Sequence, residues 1–127
     1  MMLSGACHCG RVTIALDHAP DEVTDCNCSS CTKHGARWAY FAPSAVLIEG
    51  ATTSYFRADM NVPATDLRFC ARCGCTTHWR ATEAYVRHAG KDVRMGVNVR
   101  LFDEALLAGV PVRSVDGRSW DVDEEWS

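Results

Sequence analysis

The alternation of apolar and polar residues along this 127-residue chain predicts short β-strands. Val12, Ile14 and Leu16 are separated by single residues, so they would share one face of a strand. Short runs rich in β-branched and aromatic residues follow, separated by Gly, Pro, Asp and Asn. These further predicted strands cover residues 38–41, 46–48, 54–57, 67–69, 76–79, 93–99 and 111–115.

Helical periodicity is scarce by comparison. One short helical turn is expected over residues 103–108, with Asp103 as its N-cap and Gly109 as its stop. The pattern therefore predicts a mainly β fold, organised as a single domain over residues 1–127. The acidic end of the chain, from about residue 116 to 127, would either pack through Trp120 and Trp126 or fray.

Charge and hydropathy exclude two classes of partner. The net charge is −3 and the Lys and Arg residues are scattered, so no nucleic-acid footprint is present. No apolar stretch is long enough to cross a bilayer, and the N-terminus lacks the pattern of a signal peptide. We therefore expect a cytoplasmic protein without nucleic-acid or membrane partners, in a compartment where clustered cysteines more often bind metal or react than form disulfides.

Two cysteine pairs far apart in sequence predict one closed metal site. Cys70 and Cys73 with Gly74 form a Cys-x-x-Cys-Gly knuckle, in which two thiolates of one tight turn face the same ion. Cys7 and Cys9 offer a second pair before a strand. Four thiolates complete a tetrahedral zinc site, which would tie the start of the chain to its middle.

The central triplet predicts a different kind of site. Cys26, Cys28 and Cys31 supply three sulfurs from six residues, which leaves a tetrahedral zinc with an open fourth position. Three thiolates around Zn²⁺ carry a net charge of roughly −1, so this ion would be a poor activator of water. Such a site is better suited to holding a substrate thiol as its thiolate, which favours thiol addition or elimination.

Other interpretations of these residues stay open at this stage. The triplet could instead be closed by His34 or Cys75, the cysteines could form disulfides, or four thiolates could hold an iron–sulfur cluster. His34 is also a candidate proton donor, against the simpler interpretation of a solvent-facing histidine. Lys33 and Arg37 would bind carboxylates of a peptide-like thiol or be ordinary surface charges.

The order of the three cysteine motifs resembles a known family, the glutathione-dependent formaldehyde-activating enzymes and their centromere protein V relatives. The matching stretches are GACHCGRV at residues 5–12, CNCSSC at 26–31 and RFCARCG at 68–74. Further similarity lies at residues 54–57, which follow Gly50, and at residues 97–101. The resemblance covers most of residues 5–103.

The resemblance implies a β-tent of small stacked antiparallel sheets built around two zinc ions. It also implies formation of S-(hydroxymethyl)glutathione from glutathione and formaldehyde, a carbon–sulfur lyase activity. By motif, the structural zinc would be bound by the outer pairs and the catalytic zinc by the triplet: Cys7, Cys9, Cys70 and Cys73 for the first, and Cys26, Cys28 and Cys31 for the second.

Because the chain departs from the family pattern in two respects, three function classes remain open. Cys75 occupies a position where the family more often has a small hydroxyl residue, and the stretch between triplet and knuckle is short. The first class is a zinc enzyme acting on a small thiol and an aldehyde. The second is a zinc-stabilised binding or scaffold module without catalysis, and the third is a thiol redox or metal-handling protein.

Overall fold

The computed structural model describes residues 3–90 and 93–119, and this part of the chain is mainly β-structure. Its strands are β1 (Leu3–Ala6), β2 (Thr13–Leu16), β3 (Val23–Cys26), β4 (Trp38–Phe41), β5 (Val46–Glu49), β6 (Thr52–Tyr55), β7 (Thr65–Cys70), β8 (Thr76–Ala81), β9 (Met95–Asn98) and β10 (Val112–Val115). Its α-helices are α1 (Ser29–His34) and α2 (Glu83–Ala89). Short 3-10 helices cover Pro43–Ala45, Val99–Leu101, Glu104–Leu107 and Gly117–Ser119.

The strands form two sheets. One has three strands in the order β1-β2-β5, and the other has seven in the order β10-β3-β4-β9-β8-β7-β6. Within the described residues every strand pair is antiparallel except β10 with β3, which is parallel. These two strands are distant in sequence, so no tight turn forces them to run in opposite directions. The predicted mainly β fold is confirmed, and this parallel pair departs from the antiparallel arrangement expected of the sheets.

The main core cluster joins inward side chains of both sheets. Ile14 and Leu16 of the smaller sheet pack with Phe41 and Val97 of the larger one. The predicted alternation around β2 is confirmed, because Val12, Ile14 and Leu16 are each at most 1% exposed. Burial of a side chain of this size stabilises the fold by about 1.5–3 kcal/mol.

Some elements differ from those expected from the apolar pattern. β1, β3 and both α-helices were not predicted, and the strand expected at residues 54–57 is β6, two residues earlier. Arg57 lies beyond the strand, and its side chain bonds Asp59 in the following turn. The helical turn expected at residues 103–108 is confirmed as the 3-10 helix Glu104–Leu107, and the Asp103 carboxylate accepts from the Ala105 N–H at its start.

No helix among the described residues is long and apolar enough to cross a membrane. Trp120 and Trp126, for which packing or fraying were both considered, lie outside the described residues. The described part of the acidic end, residues 116–119, follows β10 and lies against the end of β3. This placement brings it to the cysteine triplet.

Candidate metal centres

The four outer cysteines converge between the end of β1 and the turn that joins β7 to β8. The Sγ atoms of Cys7 and Cys9 are 3.6 Å apart, and those of Cys9 and Cys70 are 3.7 Å apart. With Cys73, all four sulfurs lie within 4.8 Å of one another. Tetrahedral zinc with Zn–S bonds of about 2.3 Å places its sulfurs roughly 3.8 Å apart. The four thiols are free, and their spacing fits a single ion of this kind.

The backbone around these sulfurs holds the turn in place. Gly74 adopts φ 82°, a conformation that glycine accommodates without steric cost, and its N–H donates to the Cys70 carbonyl at 2.8 Å. The N–H of Val12 donates to Cys7 Sγ at 3.3 Å. Backbone N–H groups also donate to Cys73 and lower the pKa of its thiol to about 5. The turn therefore favours a thiolate, the form of cysteine that binds metal.

The three central cysteines form a second cluster where β3 passes into α1. Cys26 ends β3, Cys28 is the N-cap of α1 and Cys31 lies in its first turn. Their sulfurs lie within 4.8 Å of one another, and no Cys, His, Asp or Glu ligand atom elsewhere in the described chain belongs to the same group. The group therefore offers three thiol sulfurs, and neither His34 nor Cys75 belongs to it.

Polar hydrogens surround the triplet sulfurs. The Cys31 N–H donates to Cys28 Sγ at 3.4 Å, and the Trp38 indole N–H donates to Cys31 Sγ at 3.3 Å. The Arg57 guanidinium donates to Cys28 Sγ through Nη1 at 3.8 Å. A hydrogen bond from the Cys31 thiol is the main reason that the pKa of Cys28 falls to about 5, and the charge on Arg57 acts in the same direction. The same bond, together with burial, raises the pKa of Cys31.

One side of the triplet is closed by the segment after β10. Gly117 approaches so closely that a Cβ atom there would lie 2.5 Å from Cys26 Sγ. Asn27 fixes this segment with its side chain, donating to the Asp116 carboxylate at 3.0 Å and accepting from the Arg118 N–H at 2.9 Å.

A surface cleft of about 210 Å³ lies next to the triplet, with Ser29 and Ser30 of α1 in its lining. Arg57 lines the cleft and also contacts Cys28, so it connects the two. His34 lies in the same cleft, where its ring packs on Tyr55 with centroids 5.5 Å apart. Because Ser29 and Ser30 lie between Cys28 and Cys31 in sequence, a small molecule in the cleft would lie close to the triplet.

Comparison with known proteins places this arrangement in a family. The sequence model of the glutathione-dependent formaldehyde-activating enzymes (GFA) matches residues 2–105, which is most of the chain. The chain belongs to the GFA family. Among solved structures, it is similar to a Rhodobacter sphaeroides protein, with a TM-score of 0.62 and 28% sequence identity over 87% of this chain and 100% of that one.

Seven cysteines that the GFA resemblance singled out are brought together in two groups, as their motifs indicated. Both groups can hold metal ions, and their all-sulfur donor sets are compatible with zinc. Cys75 lies outside both groups, and its Sγ accepts from the His8 N–H at 3.4 Å. The disulfide interpretation does not match the structure, because all eight cysteines are free.

The neighbouring residues weighed from sequence have separate positions in this GFA fold. His34 is helical and not in a loop, and its Nδ1–H donates to the Ser30 carbonyl at 2.7 Å. Lys33 lines the cleft beside the triplet. Arg37 instead pairs with Asp25 at 3.3 Å and lines a different cleft.

Three contacts to the triplet were not predicted from the sequence. The Arg57 guanidinium, the Trp38 indole N–H and the backbone of Gly117 reach these sulfurs from elements distant in sequence. No motif marks any of them. Trp38, which lies in a predicted strand, is both buried and bonded to sulfur.

Proposed function

We propose that this GFA-family protein is a zinc-dependent carbon–sulfur lyase that makes and cleaves adducts of a small thiol with an aldehyde. The observation that carries the proposal is the group of three sulfurs with no fourth protein ligand in the described chain, beside a surface cleft. The family name indicates glutathione and formaldehyde as the thiol and the aldehyde. A cytoplasmic location would keep all seven ligand thiols reduced.

We assign different roles to the two cysteine groups. Four sulfurs fill a tetrahedral zinc, so the group of Cys7, Cys9, Cys70 and Cys73 would stabilise the fold without reacting. At the triplet, a bound zinc would stabilise the thiolate form of a substrate thiol at the position that the protein leaves open. Two zinc ions per chain follow from these roles.

His34 is our candidate for moving the proton. Its Nδ1–H is used by the Ser30 carbonyl, so the lone pair of the neutral ring is on Nε2. Nε2 would take the proton of the incoming thiol. The sulfur electron pair then forms the bond to the aldehyde carbon, the C=O π pair moves to oxygen, and Nε2 returns the proton to that oxygen. Cleavage of the adduct follows the same steps in reverse.

The test is exchange of ¹³C-formaldehyde with its glutathione adduct, measured by NMR at equilibrium with zinc-loaded protein. The proposal predicts exchange well above the uncatalysed rate, and loss of that excess in Cys28→Ser. Cys75→Ser is the matched control, because Cys75 belongs to neither group and its loss should leave the rate unchanged. If a panel of thiols and aldehydes shows no excess for any pair, the protein is a zinc-stabilised scaffold and not an enzyme.

A further inference from the structure

We propose that Arg57, held by Asp59, is a positioning residue that offsets the negative charge of the triplet when a fourth thiolate joins it. The inference rests on the proposed function, because it concerns how a substrate thiol is received. Arg57 and Asp59 belong to none of the cysteine motifs. They lie in the turn after β6, more than twenty residues from the triplet in sequence.

The guanidinium of Arg57 is fixed by bonds along two of its edges. Asp59 accepts from Nε at 2.8 Å and from Nη2 at 2.7 Å, a bidentate pair with strong geometric preference. The remaining terminal nitrogen, Nη1, is 3.8 Å from Cys28 Sγ. Lysine cannot reproduce this arrangement, because it offers one point charge in place of a planar fork.

The supporting turn is itself tied to the triplet helix. The Ser29 hydroxyl, next to Cys28, donates to Asp59, and this bond helps the Arg57 guanidinium to keep the pKa of Asp59 below its usual value. The Ala58 N–H donates to the Tyr55 hydroxyl at 3.2 Å. The Arg57 side chain is only 15% exposed, so water screens its charge less than that of a surface arginine.

The role of Arg57 follows from the net charge of the metal site. Three thiolates around a divalent ion carry a net charge of roughly −1, and a fourth thiolate would raise this to roughly −2 in a partly buried site. A fixed positive charge a few ångströms away opposes that increase. The Asp59 carboxylate on the other edges of the guanidinium offsets most of this charge, so we expect a remaining change of about tenfold in thiolate affinity.

The test is binding of 2-mercaptoethanol to the cobalt(II)-loaded protein, followed by the thiolate-to-cobalt charge-transfer absorption. Arg57→Gln should weaken this binding about tenfold at neutral pH, and the apparent pKa of thiol binding should rise by about one unit. The loss should shrink at high salt and grow with the anionic 3-mercaptopropionate. Arg87→Gln, which removes an arginine from α2, is the matched control and should change nothing.

The outcomes separate this inference from the proposed function. If the wild-type protein binds no added thiol, the open position itself is refuted. If the wild type binds thiol and Arg57→Gln binds it equally well with the same salt and pH dependence, Arg57 has no such role. A uniform loss, independent of salt and of the charge of the thiol, would also refute it, because that result indicates a merely structural residue. Should Arg57→Gln not fold, Arg57→Lys supplies the comparison, with a smaller loss expected because it keeps the positive charge and loses the planar fork.

Discussion

Replacing Gly117 by alanine would bring a methyl group against the triplet. Its Cβ would lie 2.5 Å from Cys26 Sγ and 3.1 Å from Cys28 Cβ. Nonbonded heavy atoms are most stable at roughly 3.5–4.0 Å, so about 1 Å of movement is needed to relieve the contact. The segment cannot easily lift away, because Asn27 holds it through two hydrogen bonds and β10 pairs with β3.

The displacement is large compared with what a metal site tolerates. Metal–ligand distances are held to within about 0.2 Å, so a shift of this size at Cys26 should weaken metal binding at the triplet by at least tenfold. Overpacking of this kind costs roughly 1–3 kcal/mol of unfolding free energy, which leaves the protein folded. The four-cysteine group should keep its metal, because Gly117 contacts none of its members.

Zinc titration in competition with a chromophoric chelator would measure both sites of Gly117→Ala. The expected result is one tight site unchanged and one weakened, with an unchanged β-rich circular dichroism spectrum. Arg118→Ala is the control, since it alters the same turn without adding an atom toward Cys26. Unchanged affinity at both sites in folded Gly117→Ala would show that this segment does not pack on the triplet as described.

Three further predictions concern stability and metal binding. Cys73→Ser should unfold the protein, because a structural zinc contributes about 10–16 kcal/mol in small domains. Cys28→Ser should instead lose one zinc and stay folded. Metal analysis and thermal melting measure both outcomes. Trp38→Phe removes the N–H that bonds Cys31, so metal affinity at the triplet should fall by roughly tenfold while the other site is unaffected. Burial lowers the pKa of His78 to about 4, so unfolding free energy should fall as pH drops from 6.5 toward 4, by roughly 3 kcal/mol in total.

The sign of the last effect follows from proton binding. The unfolded chain binds a proton at His78 near pH 6.5, and the folded chain binds it only near pH 4, so acid favours unfolding within that window. Since acid also protonates metal ligands, the comparison is with His78→Asn, which should show a smaller pH dependence. If the unfolding free energies of the wild type and His78→Asn depended on pH in the same way, His78 would not be the source of the acid sensitivity. If Cys73→Ser and Cys28→Ser lost metal and stability to the same extent, the two cysteine groups would not have the different roles proposed.

Local sequence carried most of the information about the cysteine groups. A Cys-x-x-Cys-Gly turn brings Cys70 and Cys73 together through geometry that a few residues determine, and the same is true of Cys26, Cys28 and Cys31. The contacts to Arg57, Trp38 and Gly117 depend on how distant strands pair, and no short motif encodes that pairing. The grouping of the cysteines was therefore predictable, and the charged and steric surroundings of the triplet were not.

The two α-helices differ in the start and stop signals that their sequences carry. Thr82 caps α2 by accepting from the Tyr85 N–H, and Gly90 follows the helix end, which is a usual start and stop pattern. α1 begins at Cys28, whose sulfur accepts from the Cys31 N–H in place of the usual hydroxyl or carboxylate. Because cysteine is not a common N-cap residue, the sequence around the triplet did not indicate a helix.

The most direct test of the central claim is ¹¹³Cd NMR of the protein loaded with two cadmium ions, before and after addition of a small thiol. We expect two resonances in the range of thiolate coordination, of which the one from the triplet moves when thiol is added and the one from the four-cysteine group does not. Two resonances that both ignore added thiol, or a single bound ion, would contradict a site open to substrate at Cys26, Cys28 and Cys31.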